Sequence, residues 1–144
     1  MSLILNIDTA TETASVCIAN ETDIIGQEVN EIQKDHASFL HKAIKKLGDD
    51  LPNGLSSIDA VAVNWGPGSY TGLRVGMAAA KGLCYALNKP FITVNSLAIL
   101  AKSVIMQQAF EGKNSSLICP LVDARRMEVF TAVYDQEMNE VIAP

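Results

Sequence analysis

The sequence predicts an α/β fold, a mixed sheet with helices laid on its faces, and three observations predict it. Three short apolar runs near the start, LILNID (3–8), ASVCIAN (14–20) and DIIGQEVN (23–30), are separated by brief polar breaks, the pattern of an antiparallel meander. Beyond them, segments of helical period alternate with apolar runs of strand length, as in crossover connections. Finally, 49% of the 144 residues are apolar and 19% charged, ample for one packed core and too little charge for a disordered chain.

LILNID closes in the polar turn TATET, which separates it from the second run. After the third run, Ala37, Leu40, Ile44 and Leu47 fall on one face of a helix. Asp35 stands at its start, Lys42, Lys45 and Lys46 near its end and Gly48 just beyond, which suits the helix dipole and a glycine C-cap. SIDAVAVNW (57–65) reads as a strand that runs into GPGSYTGLRVG (66–76) and a long helix to about residue 88, stopped by Lys89 and Pro90. FITV (91–94) is a short buried strand. Asn95 or Ser96 is placed to cap a third helix carrying Leu97, Leu100, Ala101, Val104 and Ile105. LICPLVD (117–123) and MEVFTAVYD (127–135) read as two strands around the turn DARR. The order is β-β-β-α-β-α-β-α, then β-β. Because a two-stranded hairpin is marginal alone, the last two strands are expected either to pack on the first unit or to begin a second domain that is cut short, with 1–111 as the first lobe and 112–144 as the start of the second.

The formal net charge is −5, with no basic stripe, so a general nucleic-acid footprint is disfavoured. Cys17, Cys84 and Cys119 are scattered, without Cys-x-x-Cys spacing, and are expected to be reduced core thiols rather than a disulfide frame or zinc site. The N-terminus has no basic segment before its apolar run, no run approaches bilayer length, and the chain is expected in the cytoplasm with no membrane partner.

GPGSYTGLRVG packs four glycines and a proline into eleven residues and looks like an active-site loop. A phosphate loop of the G-x-x-x-x-G-K-[ST] type needs other spacing and a lysine. A dinucleotide G-x-G-x-x-G needs glycine where Thr71 stands, and a G-x-S-x-G elbow needs glycine in place of Pro67 and Thr71. What remains is mechanical. Gly66 and Gly68 permit positive φ, Pro67 stiffens the turn, and Ser69 or Thr71 caps the following helix. Along that helix Gly72, Gly76, Ala79, Ala80, Leu83 and Leu87 share a face, with Arg74, Ala78, Lys81 and Tyr85 opposite. Arg74 and Lys81 are the only charges between Tyr70 and Asn88. So apolar a helix is expected to lie with one side on its sheet and the other on a second helix or a second chain; burial wholly within the monomer is the alternative. His36 and His41, the only histidines, are five apart, about 140° around a helix, and cannot share a ligand face.

ILNIDTATETASV, GPGSYTGLRVG, NSLAILA and VDARRMEVF, in that order and over the whole chain, resemble the TsaB family, also called YeaZ, a paralogue of the glycoprotease-like TsaD proteins. The resemblance implies an actin-like ATPase domain (ASKHA superfamily, RNase H-like). It implies a non-catalytic subunit of the complex that makes N6-threonylcarbamoyladenosine at position 37 of ANN-reading tRNAs. The partners it implies are a TsaD-like catalytic subunit, a TsaE-like ATPase and a second copy of the chain, with tRNA met only through the complex. No cofactor is expected on this chain; ATP and metal are expected on partner subunits. Members of the family are usually longer, and DARR is usually followed by glycine, where this chain has Met127; positive φ there would be strained.

On this resemblance and the helix plot, the expected partner interface is His36, Leu40, Gly72, Arg74, Val75, Gly76, Ala79 and Lys81, with a packed histidine as the other reading of His36. Arg74 is equally read as anchored to a carboxylate of its own chain. Gly66, Pro67, Gly68, Ser69 and Thr71 form the family turn. Asp8, Thr9 and Thr11 sit where actin-like kinases carry a phosphate loop, so a vestigial loop stands beside a purely structural turn. TsaD-like proteins bear a metal-binding His-x-x-x-His on the helix after the strand corresponding to FITV; VNSLAILAKS has no histidine, so no metal is expected here. Asp123, Arg125, Arg126 and Glu128 surround the hairpin turn, as solvated charge or as a contact. The alternative function is a glycoprotease-like or ATP-dependent enzyme of the same fold, which rests on fold analogy alone.

Overall fold

The computed structural model describes residues 1–32, 35–111 and 117–144. Strands β1 (Ile4–Asp8), β2 (Ala14–Ala19) and β3 (Ile24–Asn30) lead into helix α1 (His36–Asp49), a 3₁₀ turn (Gly54–Ser57) and β4 (Ala60–Gly66). Helix α2 (Tyr70–Leu87), β5 (Phe91–Asn95) and α3 (Ser96–Phe110) follow, then β6 (Leu121–Arg125), β7 (Glu128–Thr131), β8 (Val133–Tyr134) and β9 (Glu140–Ile142). The predicted element order is present, and the first five strands form one mixed sheet in the order β3-β2-β1-β4-β5. β1 is antiparallel to β2, with Ile7 opposite Val16, and parallel to β4, with Ile7 opposite Val63.

Two compact units divide the chain. The first comprises Met1–Trp65 and Ser69–Thr93, the second Gly66–Gly68 and Val94–Pro144. The lobe boundary expected at 111/112 opens onto residues 112–116, which lie outside the described residues.

Strand alternation builds the core of the first unit. Leu5 and Ile7 of β1, Val16 and Ile18 of β2, and Val61 and Val63 of β4 are buried together with Leu40, Ala43, Ile44 and Leu47 of α1 and Ala80 of α2. Each valine, leucine or isoleucine so buried contributes about 1.5–3 kcal/mol. Two details of α1 differ from expectation. Ala37 is exposed, and Ala43 takes its place in the buried stripe. Gly48 lies inside the helix rather than capping it, and the C-cap is Asp50. A Cβ at Gly48 would stand 2.7 Å from Cγ of Leu55, so this glycine admits a leucine from the 3₁₀ turn. Helix α2 starts at Ser69 and ends where Asn88, at φ 52°, donates its N–H to the Cys84 carbonyl, a left-handed cap filled by asparagine.

In the second unit Asn95 caps α3, its Oδ1 accepting from the N–H groups of Leu97 (2.7 Å) and Ala98 (3.4 Å). Leu97 and Ala101 pack with Ile118, Ala132 and Tyr134. The strand expected over 127–135 is split at Ala132, which is 1% exposed. β7 pairs with β6, whereas β8 pairs with β9, so a contiguous apolar run serves two hairpins. The DARR tip carries three successive non-glycine residues at positive φ, Arg125 (65°), Arg126 (55°) and Met127 (66°). Asp123 Oδ1 accepts from the Arg125 N–H at 2.7 Å, a local bond that holds the turn. The cysteines are not all core thiols as expected. Cys17 and Cys84 are partly buried, and burial raises the pKa of each thiol, whereas Cys119 is exposed.

Candidate functional site

The glycine-rich turn serves its own chain. Gly66 ends β4 at φ 111° and is joined to Pro67 by a cis peptide bond; Gly68 completes the turn. The Ser69 N–H donates to the Ala10 carbonyl at 2.7 Å. The Ser69 hydroxyl, rather than Thr71, accepts from the Gly72 N–H at 3.4 Å and starts α2. The first turns of α2 then lie directly on the loop after β1. Thr9, 0% exposed, donates its hydroxyl to the Gly72 carbonyl at 2.7 Å. A Cβ at Gly72 would overlap the Thr9 carbonyl oxygen, and one at Gly76 would overlap the Thr9 hydroxyl.

The other groups near this loop are also engaged. Asp8 Oδ1 accepts from the Ala10 N–H at 2.9 Å, and both of its carboxylate oxygens stand 3.1 Å from Asn64 Nδ2. The Thr11 hydroxyl donates to the Thr13 carbonyl at 3.1 Å. His36, 6% exposed, places Nε2 3.0 Å from the Thr11 carbonyl. That contact makes Nε2 the protonated nitrogen, and the buried Nδ1 has no partner among the described residues.

Half of the expected partner interface is therefore corrected. His36, Leu40, Gly72 and Gly76 are buried within the chain: on α1, Leu40 joins the core and His36 meets the Thr11 carbonyl, while on α2 the glycine face turns to the sheet and the β1 loop. Arg74, Val75, Ala79 and Lys81 remain on or beside the outer surface. There they help to line two open grooves. One, of about 500 Å³, runs between α1 and α2 and is lined by Ala37, His41, Ile44, Val75, Ala78, Ala79, Gly82 and Leu83. Its neighbour, of about 440 Å³, is lined by Tyr70, Leu73, Arg74, Met77, Ala78 and Lys81. Ala78 belongs to both, so they form one apolar face. Arg74 donates from Nη1 to the Tyr70 hydroxyl at 3.0 Å, with its guanidinium carbon 5.2 Å from the ring centroid.

Leu73, Met77, Ala78 and Gly82 escaped the sequence-based site. The signal that finds them is the Arg74–Ala78–Lys81 side of the helix plot: once the glycines are given to the sheet, the apolar residues left beside that side must face outward. Elsewhere, Met127 at the DARR tip is fully exposed. Among the described residues no group of three or more His, Cys, Asp or Glu side chains is arranged to hold a metal ion. No helix among them is long and apolar enough to cross a membrane.

A family model described as TsaD, tRNA N6-adenosine threonylcarbamoyltransferase, matches residues 23–143. The chain is similar to the tRNA threonylcarbamoyladenosine biosynthesis protein TsaB of Bacillus subtilis, 34% identical over 91% of this chain and 54% of that protein. It is 30% identical to TsaB of Escherichia coli, over 96% of this chain and 57% of that protein. The chain thus spans little more than half the length of these curated relatives. Among solved structures, YeaZ from Pseudomonas aeruginosa superposes with a TM-score of 0.84 at 32% identity, over 100% of this chain and 65% of that one. RuvC of T. thermophilus, at a TM-score of 0.52 and 13% identity over 80% of this chain and 82% of its own, shares the fold alone. The same holds for an N-acetylglucosamine kinase homologue from Porphyromonas gingivalis, at 0.50 and 16% over 99% of this chain and 47% of its own. These likenesses agree with the expected RNase H-like, actin-like architecture.

Proposed function

The chain belongs to the TsaD family, with curated relatives that are TsaB proteins, and we propose that it is a non-catalytic docking subunit in the synthesis of N6-threonylcarbamoyladenosine on tRNA. In this reading it binds and activates a TsaD-like catalytic chain. ATP and metal are held by the partners, a TsaE-like ATPase among them, and tRNA is met only through the assembly, in the cytoplasm. One observation carries the proposal: the outer face of α1 and α2 is apolar and uncovered, with Ala78 at its centre and two grooves of about 500 and 440 Å³ side by side. Contiguous exposed apolar surface of this kind marks interaction sites. The engaged state of Asp8 and Thr9 also favours docking over a nucleotide reaction at that loop.

The test is titration of the chain into the cognate TsaD-like protein by calorimetry, with and without ATP and Mg²⁺. Binding is expected, and Ala78→Arg is expected to abolish it while the variant's circular dichroism and melting stay unchanged. Absence of a complex under every nucleotide condition would sink the proposal. Turnover of ATP or of a peptide by the repurified chain alone would favour the enzymatic alternative.

A further inference from the structure

Strand β3 is an edge of the five-stranded sheet, and among the described residues β2 is its only hydrogen-bonded neighbour. Its free side therefore presents a row of backbone N–H and C=O groups, a template for another strand unless something blunts it. The usual blunting devices are missing. β3 runs for seven residues, IIGQEVN, with no lysine, arginine or proline. Its one charged residue, Glu28, is half-buried and paired with Lys46 of α1. Ile24, Ile25 and Val29 are 63%, 52% and 51% exposed. The two sides of the strand differ. Gly26 and Glu28 turn to α1, where a Cβ on Gly26 would stand 2.8 Å from Cδ2 of Leu47. Ile25, Gln27 and Val29 alternate with them and are exposed.

We propose that β3 pairs antiparallel with β3 of a second copy of this chain, across a two-fold axis at Gln27, on a surface separate from the α1–α2 face. The sequence of the strand selects this register. Directly opposite residues in an antiparallel pair share one hydrogen-bonding role, so the axis passes through a residue and not between two. With the axis at Gln27 the whole strand overlaps its copy. Ile24 then faces Asn30 of the partner subunit, Ile25 faces Val29 of the partner subunit, and Gly26 faces Glu28 of the partner subunit, each contact made twice. The exposed side acquires two isoleucine–valine pairs, which favour strand pairing, around a central pair of glutamines. Each Glu28 meets a glycine rather than a like charge. An axis at Glu28 shortens the overlap and sets the two carboxylates directly opposite each other, which is unfavourable. An axis at Gly26 also shortens the overlap and takes Val29 away from isoleucine.

The test is sedimentation equilibrium in the Ala78→Arg background, which blocks the α1–α2 face. Self-association with a dissociation constant of about 10–100 μM is expected, the weak end that suits so small an interface. In the proposed register Gln27 alone stands opposite its own copy. Gln27→Lys and Gln27→Glu are each expected to associate about tenfold more weakly at low salt, and their equimolar mixture to regain the parental strength. Val29→Lys mixed with Ile25→Glu is likewise expected to recover, whereas Val29→Lys mixed with Val29→Glu is not. Circular dichroism of each variant checks that these exposed substitutions leave the fold intact. In the wild-type background Gln27→Lys should leave binding to the cognate TsaD-like chain within about twofold, because the sites are independent. A chain that stays monomeric up to about 1 mM overturns the proposal. So does association indifferent to charge at Gln27, or weakening by both variants without recovery in their mixture. Partner binding lost with Gln27→Lys overturns the separation of the two surfaces, whereas partner binding indifferent to Ala78→Arg counts against the docking reading and leaves the strand pairing standing.

Discussion

The two long sides of α2 are made of similar residues and do opposite work. On the inner side Gly72, Gly76 and Ala80 are buried, and the glycines are small because Thr9 stands where their side chains would be. On the outer side Ala78 and Gly82 are also small, yet both are exposed, and a Cβ at Gly82 would meet nothing within 4 Å. Smallness on the inner side is thus a requirement of the chain's own fold. On the outer side only a partner could give it meaning. A helix plot shows both faces and cannot say which belongs to the sheet.

Substitution at Gly72 tests the inner side most severely. Gly72→Ala puts a methyl on the Thr9 carbonyl, a backbone atom that no rotamer change can move away. A loss of about 3 kcal/mol or more is expected, read as a fall in the urea midpoint or as failure to fold. Gly76→Leu should be at least as costly, since the hydroxyl of Thr9 and then Ile7 and Val63 lie in its path. That variant therefore reports folding and not docking. Wild-type stability in Gly72→Ala would show that α2 does not lie this close to the β1 loop.

The next effect belongs to the outer side. Ala78→Arg is expected to leave the unfolding free energy within about 0.5 kcal/mol, as exposed substitutions do, while costing at least about 2 kcal/mol of partner binding by placing a bulky charge in the middle of the interface. Calorimetric titration and urea unfolding of the same sample separate the two quantities. If stability falls and binding does not, the outer and inner assignments are reversed.

Thr9→Val asks how much of the inner contact is hydrogen bond and how much is shape. Valine keeps the volume and removes the donor to the Gly72 carbonyl. A loss of about 1 kcal/mol is expected, with partner binding unchanged. A loss as large as that of Gly72→Ala would mean that the hydroxyl, rather than close approach, holds α2 in place.

How much of this was legible in the sequence follows from where the determining atoms lie. The β1–β3 meander and the helix–strand alternation depend on neighbours in sequence and read correctly; for the caps the sequence narrowed the choice to Ser69 or Thr71 and Asn95 or Ser96, and the fold takes the first of each pair. The small-residue pattern of α2 also read correctly as close approach. Its target did not, because Thr9 is far from Gly72 along the chain. Gly48 was misplaced as a cap because the reason for it is Leu55, which returns from the following 3₁₀ turn. The run 127–135 gave no sign of the division at Ala132, because strand propensity is continuous there and only the pairing partners change. His36 could be placed near an apolar stripe, but its bond to the Thr11 carbonyl needs the folded loop.

The smallest expected effect is the most discriminating, because it has the opposite sign to the first. Gly82 is a glycine inside a helix, with ordinary backbone geometry and open space where a Cβ would be. Alanine there lowers the entropy of the unfolded chain and suits the helix, so Gly82→Ala should stabilise the isolated chain by about 0.5–1 kcal/mol, a higher urea midpoint where Gly72→Ala gives a lower one. The methyl would also enter the groove lined by His41, Ile44 and Leu83. If a partner helix packs closely there, the same variant should bind it several-fold more weakly. Greater stability with weaker binding would explain a glycine that the free chain does not need. Greater stability with unchanged binding would place closest approach at Ala78 and leave Gly82 outside the interface.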